Sequence, residues 1–317
     1  MAHNTRSNLT SNMKQPWHQF GDHLPNASVG DLLDNPNYNY RVVSHPLEGA
    51  GGLRAAKKHG LWREDTGELL GVVSPDYEIV QNEVGLRFFE PLVAKGLASI
   101  DTLGLFAGGK RFWILARMNL TPVEVLEDDL IEPYLLYTQG HDGHSAIRIQ
   151  PTSVRVLCSN TISWALQSSE TPKFRVSHQR GVSEMIDELR RYYLDSMQLW
   201  KCTSDSYSRL VERRNLNVGE YFQQILLSQS LADEHTALLN KNMKLQLNKL
   251  WQAYEREAQW LPEAARGSAY HALQAVTHYT AHLRGRDSKT RLRENWLGES
   301  ARLRQTAMDF ALSAEAA

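Results

Sequence analysis

Short runs of hydrophobic residues, each bounded by turn-forming residues, dominate the first half of the chain. The runs at 41–43, 69–74 and 77–80 have the composition of strands, and residues 65–67 form a turn before the second run. Residues 82–95 instead repeat apolar residues at helical spacing. This half is therefore predicted to be rich in strands, with a helix that interrupts them.

A β-hairpin is predicted near the centre of this region. Residues 98–106 and 111–118 both have strand character, and the glycine-rich residues 107–110 supply the turn between them. A further strand at 133–138 leads to a polar turn at 141–144 and a returning strand. These strands predict an antiparallel sheet.

Residues 152–167 carry two patterns. The β-branched first half favours a strand, whereas the second half, from Ser159 or Asn160, favours a helix with a capping residue. The sequence leaves both alternatives open.

Beyond Gly181 the apolar spacing becomes helical. A stripe of large apolar residues runs from Met185 to Trp200, and further helices are predicted at 218–228, 235–258, 268–284 and 299–313. The stripe is too apolar to leave in water, so we expect the helices to cover the open face of the sheet.

These patterns predict the α+β class, with an antiparallel β-rich N-terminal core, interrupting helices and an all-helical C-terminal region. The polar residues 1–15 are predicted to be a disordered tail, because they have few apolar side chains to bury. Residues 16–175 form the core domain in this prediction, and residues 181–317 form the helical region packed on it.

The charge balance weakens a general attraction to polyanions. Lys and Arg total 35 against 36 Asp and Glu, so a nucleic-acid site would need a local concentration of basic residues. No apolar run approaches the roughly 20 residues that span a bilayer, and the N-terminus has no signal-like apolar region. We therefore expect a cytoplasmic protein with no membrane partner.

Motifs for catalysis and cofactor binding are weak. Residues 104–111 nearly match a phosphate-binding loop, but Arg111 replaces the required hydroxyl and a strand follows, so no cofactor is expected. His141, Asp142 and His144 offer metal ligands at a spacing that fits no established motif, and an Asp-Gly pair favours a polar turn with exposed histidines. His18 and His23 offer further imidazoles that the sequence does not place. No metal is expected.

A basic and aromatic surface is the remaining candidate site. Arg111, Trp113 and Arg117 share one face of a strand. If the opposite face is buried, the arginines can pair with phosphates while a base stacks on Trp113; alternatively, Trp113 lies in the core and the arginines form ordinary salt bridges. A second basic cluster lies after residue 283, where it is either a solvated face or a phosphate-contact patch. The candidate nucleic-acid-binding residues are Lys110, Arg111, Trp113, Arg117, Arg148, Arg155, Arg284, Arg286, Arg291 and Arg293.

Several segments together resemble a known family. They are Pro-Trp-His at 16–18, Phe-Gly at 20–21, 70–73 with Tyr77, 108–113, His-Asp-Gly at 141–143, 154–161, 267–270 and 275–279. The chain resembles the phage/plasmid-like proteins catalogued as domain of unknown function DUF932. That family has no established activity, so the resemblance implies a mobile-element context and no particular chemistry.

The order of strands and helices is also similar to the core of single-strand annealing recombination proteins. This resemblance implies a ring or filament that carries DNA by its backbone in a basic groove without nucleotide hydrolysis. The leading hypothesis is therefore a non-enzymatic protein that binds or anneals single-stranded DNA in recombination or replication, as a homo-oligomer. The alternatives are an accessory factor that binds a phage or host protein through its helical region, and a metal-dependent enzyme around His141, Asp142 and His144.

Limited proteolysis tests the predicted domain organisation. The first 15 residues should be trimmed early, whereas the junction at 168–182 should survive because it is too short for a long flexible linker. Mass spectrometry of the fragments identifies the cleavage sites. Early cleavage at the junction into two folded fragments would show that the core and the helical region are separate modules.

Overall fold

A computed structural model describes most of the chain. The described residues are 16–25, 27–48, 54–127, 129–155, 160–163, 174–176, 200, 205–229 and 240–313. Side chains are not described at 16, 54–56, 155, 160–163 and 174–176. The predicted tail at 1–15, the junction at 168–172 and most of the stripe from Met185 lie outside the described residues.

The described strands are, in chain order, β1 (Asp22–His23), β2 (Val42–Glu48), β3 (Arg54–Arg63), β4 (Leu69–Val73), β5 (Ala98–Phe106), β6 (Arg111–Met118), β7 (Val123–Leu126), β8 (Asp129–Gly140), β9 (Ile147–Arg155), β10 (Asn160–Ser163) and β11 (Phe174–Val176). The main sheet has the order β1-β5-β6-β8-β9-β10, with β7 paired to β8 and β11 paired to β9. A second sheet has the order β2-β3-β4. Neighbouring strands are antiparallel in both sheets.

The described helices are α1 (Val29–Leu33), α2 (Asn82–Ala94), α3 (205–212), α4 (Val218–Leu227), α5 (Lys241–Glu257), α6 (Ala269–His278), α7 (Ser288–Leu297) and α8 (Glu299–Ser313). Helix α6 continues directly into a π-helical turn at Tyr279–Leu283. None of the helices in the described ranges has both the length and the apolar character needed to cross a bilayer. Strands fill the N-terminal half and helices the C-terminal part, which confirms the α+β class.

The predicted hairpin and the predicted helix are present. Strands β5 and β6 pair from Ala98–Met118 to Phe106–Arg111, and a short 3₁₀ turn at Ala107–Gly109 joins them. Gly108 has a φ of 68°, a left-handed conformation that glycine adopts without steric cost. The near-match to a phosphate-binding loop is therefore a hairpin turn and does not open a helix.

One local prediction is wrong, one alternative that the sequence left open is decided, and one helix was not predicted. Residues 77–80 form no strand, because the Gln81 side chain already bonds both backbone groups of Val42, donating to its carbonyl at 2.8 Å and accepting from its amide at 2.9 Å. Residues 160–163 form strand β10 on β9, where a helix was the alternative. The charged segment after residue 287, interpreted as a solvated face or a contact patch, contains helix α7.

Both faces of the main sheet are covered. The Phe112 face belongs to a large core that also contains residues of α2 and of the C-terminal helices α4, α5, α6 and α8. The opposite face, which carries Trp113 and Leu115, belongs to a second core with Trp17 from the N-terminal segment and Trp296 from α7. Among the described residues, the central strands therefore have no open face across which a ligand could lie.

Helix α7 is held on the second face mainly by one aromatic contact. The rings of Trp113 and Trp296 lie 4.9 Å apart between centroids in an edge-to-face arrangement, and both side chains are buried. Gly104 on the neighbouring strand makes room, since a Cβ there would lie 2.5 Å from the Trp113 ring. Arg304 of α8 is buried and donates to the carbonyl of Asn295, which fixes the end of α7.

The turn between β8 and β9 is built around the carboxylate of Asp142. Its Oδ1 accepts from the amides of His144 (2.9 Å) and Ser145 (2.7 Å), and its Oδ2 accepts from the Ser145 hydroxyl and from Arg111 Nε (3.0 Å). Burial by itself raises the pKa of Asp142, but these hydrogen bonds outweigh burial and lower the pKa to about 2. The turn therefore depends on the ionised carboxylate.

Replacing Trp296 by Ala tests whether α7 is an integral part of the fold. Loss of a buried indole over the sheet should lower the free energy of unfolding by about 3–5 kcal/mol. The control is Trp260→Ala, since the Trp260 side chain is 56% exposed and its loss should change stability by less than about 1 kcal/mol. Urea unfolding followed by circular dichroism measures both. Equal effects in the two variants would contradict the packing of α7 described above.

Replacing Asp142 by Asn tests the charge dependence of the turn. The folded pKa lies below the unfolded value, so the stabilisation is present above about pH 4 and is lost as the pH falls towards 2. Asp142→Asn should therefore lower stability by about 2 kcal/mol at pH 7, with the difference from the parent shrinking near pH 2.5. Urea unfolding at both pH values measures it, with the exposed Asp76→Asn as control. A constant difference at the two pH values would contradict the role of ionisation.

Candidate functional site

The structure places Trp113 in the core and not on a surface. Its side chain is fully buried beneath Trp296, so the interpretation in which a base stacks on Trp113 is wrong. Arg117 on the same face pairs with Glu132 at 2.5 Å, and Arg111 pairs with Asp142. The alternative arrangement, with a core tryptophan flanked by salt-bridged arginines, describes this strand. Side chains from both faces of this strand lie in a core. The sequence of a single strand does not show this, because it gives only which residues share a face.

Two of the predicted basic residues meet at a small cavity. Arg111 of β6 and Arg148 of β9 line a space of about 130 Å³, together with Ser145 and with Leu297 at the end of α7. Lys110 lies beside Arg111 at the hairpin tip and is half-buried. The cavity is thus a polar recess at the edge of the second core.

The other predicted basic residues lie at the start of α7 and along it. Arg284 pairs with Glu299 at 3.1 Å, and Arg293 pairs with the neighbouring Glu294 at 3.2 Å. Arg291 donates weakly to the Gly285 carbonyl at 3.4 Å. The exposed Arg286 has no ion-pair partner in the described part of the chain.

The second basic cluster predicted from the sequence also contains Lys289, Arg302 and Arg304. Lys289 and Arg302 are exposed and, within the described ranges, have no ion-pair partner. Arg304, by contrast, is buried, and burial lowers the pKa of its guanidinium to about 9. We use the term α7 basic surface for the exposed or half-buried cations Arg284, Arg286, Lys289, Arg291, Arg293 and Arg302.

Helix α7 connects the two basic groups. Its ten residues span about 15 Å, with Arg286 just before its first residue and Leu297, which lines the Arg111 cavity, as its last. Arg155 lies on β9, opposite Ile131 of β8, and its side chain is outside the description. Two clusters that are over 130 residues apart in sequence therefore lie within one helix length of each other.

A larger polar cavity borders the α7 basic surface. It has a volume of about 570 Å³, and Arg284 and Arg302 line it together with Glu299 and the amide side chains of Asn242 and Gln246. One carboxylate faces two guanidinium groups there, so the lining of this cavity suits an anion better than a cation.

His141, Asp142 and His144 do not come together as a ligand set among the described residues. His141 is fully buried, with its Nε2 atom 2.8 Å from Asn82 Oδ1, so the prediction of an exposed histidine is wrong at this position. His144 is exposed, and the Asp142 carboxylate already accepts hydrogen bonds from the amides of His144 and Ser145. This arrangement does not favour a metal-dependent enzyme at the turn.

A different set of potential ligands converges at the sheet edge. His18, His23 and Asp101 place one ligand atom each within 4.8 Å of one another. His18 Nε2 lies 3.2 Å from Asp101 Oδ2, and His23 Nδ1 lies 3.6 Å from Asp101 Oδ1. Asp101 was not among the predicted site residues: it is the only charged residue in 98–106, but it lies about 80 positions from the histidines, and the sequence does not show that they meet.

Hydrogen bonds fix the Asp101 carboxylate. Trp17 Nε1 donates to its Oδ2 atom at 2.8 Å, and Thr102 Oγ1 donates to the same atom at 2.7 Å. Burial raises the pKa of Asp101, but hydrogen bonds from His18, Thr102 and Trp17 outweigh it, so the pKa is lowered overall. The carboxylate is thus held ionised and in one orientation beside two imidazoles.

Comparison with known proteins identifies a family but no individual related protein. No curated protein and no solved structure matches the chain. One family model, described as a domain of unknown function, matches residues 69–306 and confirms the resemblance seen in the sequence. The matched range covers more than half of the chain, from β4 into α8, and excludes His18 and His23. With strands β4–β11, α7 and its basic surface inside that range, the chain belongs to the family of the domain of unknown function DUF932.

Proposed function

We propose that the protein binds single-stranded DNA through the α7 basic surface, as a non-enzymatic, cytoplasmic protein of a mobile element that acts in recombination or replication. One observation supports this most: α7 joins the exposed cations at its start to the cavity of Arg111 and Arg148 at its end. The mobile-element context and a ring or filament assembly follow from the two resemblances and are part of the proposal.

The local charge supports binding to phosphates although the whole chain is neutral. Residues 284–302 contain six basic side chains and three carboxylates. Two of the carboxylates serve the helices: Asp287 caps α7 by accepting from the Thr290 amide at 2.8 Å, and Glu294 accepts from the Glu299 amide at 3.1 Å. The excess of cations over carboxylates gives this surface a net positive charge, as a polyanion site requires.

Backbone recognition follows from the burial of Trp113. Single-strand binders commonly stack bases on aromatic side chains, and the tryptophan between the predicted arginines is not available for stacking. Contacts from Arg and Lys to phosphates carry little sequence information. The proposal therefore implies binding without sequence preference and with a salt dependence set by the number of phosphates contacted.

A second candidate function is binding to another protein through the helical region. Leu245 and Trp251 on α5, and Trp260 just beyond it, are large apolar side chains that are 53%, 41% and 56% exposed. Exposed tryptophans are common at protein interfaces. In this alternative, Trp251→Ala and Trp260→Ala would abolish partner binding, whereas variants in α7 would not.

Titration with labelled oligonucleotides tests DNA binding. If Arg286, Lys289 and Arg302 neutralise three phosphates, the slope of log affinity against log salt is about −2, and affinity falls about 20-fold between 50 and 200 mM salt. The double variant Arg286→Ala, Lys289→Ala should weaken binding equally for all sequences and bring the slope to about −0.7. Fluorescence anisotropy at several salt concentrations measures both quantities.

The matched control removes two positive charges from the opposite side of the sheet. Arg87 and Lys95 are exposed at α2, which packs on the Phe112 face, so Arg87→Ala, Lys95→Ala should leave the affinity and the slope unchanged. Absence of binding with micromolar protein at low salt would refute the proposal. An equal loss in both double variants would show that total charge, and not the α7 basic surface, governs binding.

A further inference from the structure

We propose that His18, His23 and Asp101 bind one divalent first-row transition metal ion, such as Zn²⁺, at the edge of the main sheet. Two imidazole nitrogens and one carboxylate oxygen are ligands that such ions prefer. The proposal departs from the expectation of no metal, which rested on the absence of ligand motifs with established spacing. Here the ligands come from segments about 80 residues apart and meet only in the fold.

A β-bulge aims Asp101 at the histidines. Ile100 pairs with Ala116 and Thr102 pairs with the next residue, Leu115, so Asp101 is an extra residue without a partner position on β6. Bulges redirect side chains and are common beside functional sites. The bulged residue also bonds the N-terminal segment, since its carbonyl accepts from the Leu24 amide at 2.9 Å.

The pairing of β1 with β5 places His23 beside this bulge. His23 pairs with Thr102, and its Nδ1 atom lies 3.1 Å from the Asp101 carbonyl oxygen. The Pro16–Gln19 turn brings in His18 from the other side, so that the two imidazole rings lie 4.0 Å apart between centroids. Two short segments thus place both rings against one carboxylate.

The distances between ligand atoms fit coordination of one ion. For metal–ligand bonds of about 2.1 Å, two ligand atoms at a tetrahedral angle lie about 3.4 Å apart. His18 Nε2 lies 3.2 Å from Asp101 Oδ2 and His23 Nδ1 lies 3.6 Å from Asp101 Oδ1, so each imidazole nitrogen is at about that separation from one of the two carboxylate oxygens. One ligand atom from each of the three residues lies within 4.8 Å of the other two, so binding of one ion would draw both nitrogens and one carboxylate oxygen towards a common centre.

The carboxylate already has the outer support that metal ligands usually have. Trp17 and Thr102 both donate to Asp101 Oδ2, whereas Oδ1 faces His23. Outer-shell donors of this kind hold a ligand in one orientation and strengthen metal binding. The Trp17 side chain is itself fully buried in the second core, so its N–H is held in position.

The exposure of the three side chains suits a site with an open coordination position. His18 and Asp101 are 11% and 13% exposed, whereas His23 is 34% exposed and offers an entry path. Three protein ligands leave at least one position for water or an anionic ligand. A bound ion would also fasten the N-terminal segment, which lies outside the family match, to the sheet inside it.

Calorimetric titration of the chelator-treated full chain with Zn²⁺ tests the site, and Co²⁺ titration followed by visible absorption gives an independent signature. We expect one ion per chain. His18→Ala and His23→Ala should each weaken binding by at least about 100-fold, and Trp17→Phe, which removes the outer N–H donor together with part of a buried ring, by about 10–100-fold. The exposed His45→Ala and His144→Ala are the matched controls and should bind as the parent does.

Circular dichroism of the metal-free variants establishes that each is folded. If a histidine variant fails to fold, Asp101→Asn takes its place, because an amide oxygen still accepts from Trp17 and Thr102 while the charge is lost. No binding by the folded parent at about 100 μM Zn²⁺ would overturn the proposal. Binding that persists in the His18, His23 and Asp101 variants would overturn it as well, and would leave the carboxylate as a hydrogen-bonded anchor of the N-terminal segment.

Discussion

The contact between Trp113 and Trp296 packs a short, highly charged helix onto a sheet face that also packs against Trp17 of the N-terminal segment. Helix α7 has few apolar residues of its own, and its buried side chains are Leu292, Asn295 and Trp296. An isolated helix of ten residues is marginal in water, so its stability comes from this packing. The position of the cations on α7 therefore depends on the packing of these three side chains, of which Trp296 contacts Trp113.

The same packing explains how a neutral protein can have a basic surface. The indole rings occupy the centre of the second core, and charged side chains are left at its edges, where Arg111 pairs with Asp142 and Arg117 with Glu132. Along and beside α7, residues 284–302 contain six basic side chains and three carboxylates, and Arg286 and Lys289 are exposed. The excess of basic residues is thus confined to one region, and acidic residues elsewhere in the chain balance it.

Local sequence patterns were sufficient for elements that depend on nearby residues. The β5–β6 hairpin was predictable because its glycine turn and both strands are contiguous, and α2 because its apolar residues cover a full face. Helix α7 was missed because its apolar side is too narrow to stand out among arginines. The burial of Trp113 was left open, because the alternation of side chains between the two faces of a strand does not show whether one face or both faces of the sheet are covered. The cluster of His18, His23 and Asp101 was beyond reach, since it depends on a bulge and on a pairing between residues about 80 positions apart.

The π-helical turn at Tyr279–Leu283 sets the direction in which the chain leaves α6. A π-helical turn contains one residue more than an α-helical turn, and each residue of an α-helix rotates the chain by about 100° around its axis. The extra residue therefore decides whether the segment after Leu283 points along the sheet or away from it. The number of residues in this turn is consequently more constrained than their identity. A chain with one residue fewer could keep a continuous helix, but the arginines and Trp296 after it would then point in a different direction. We expect related chains to vary in the identity of the side chains at this turn far more readily than in their number.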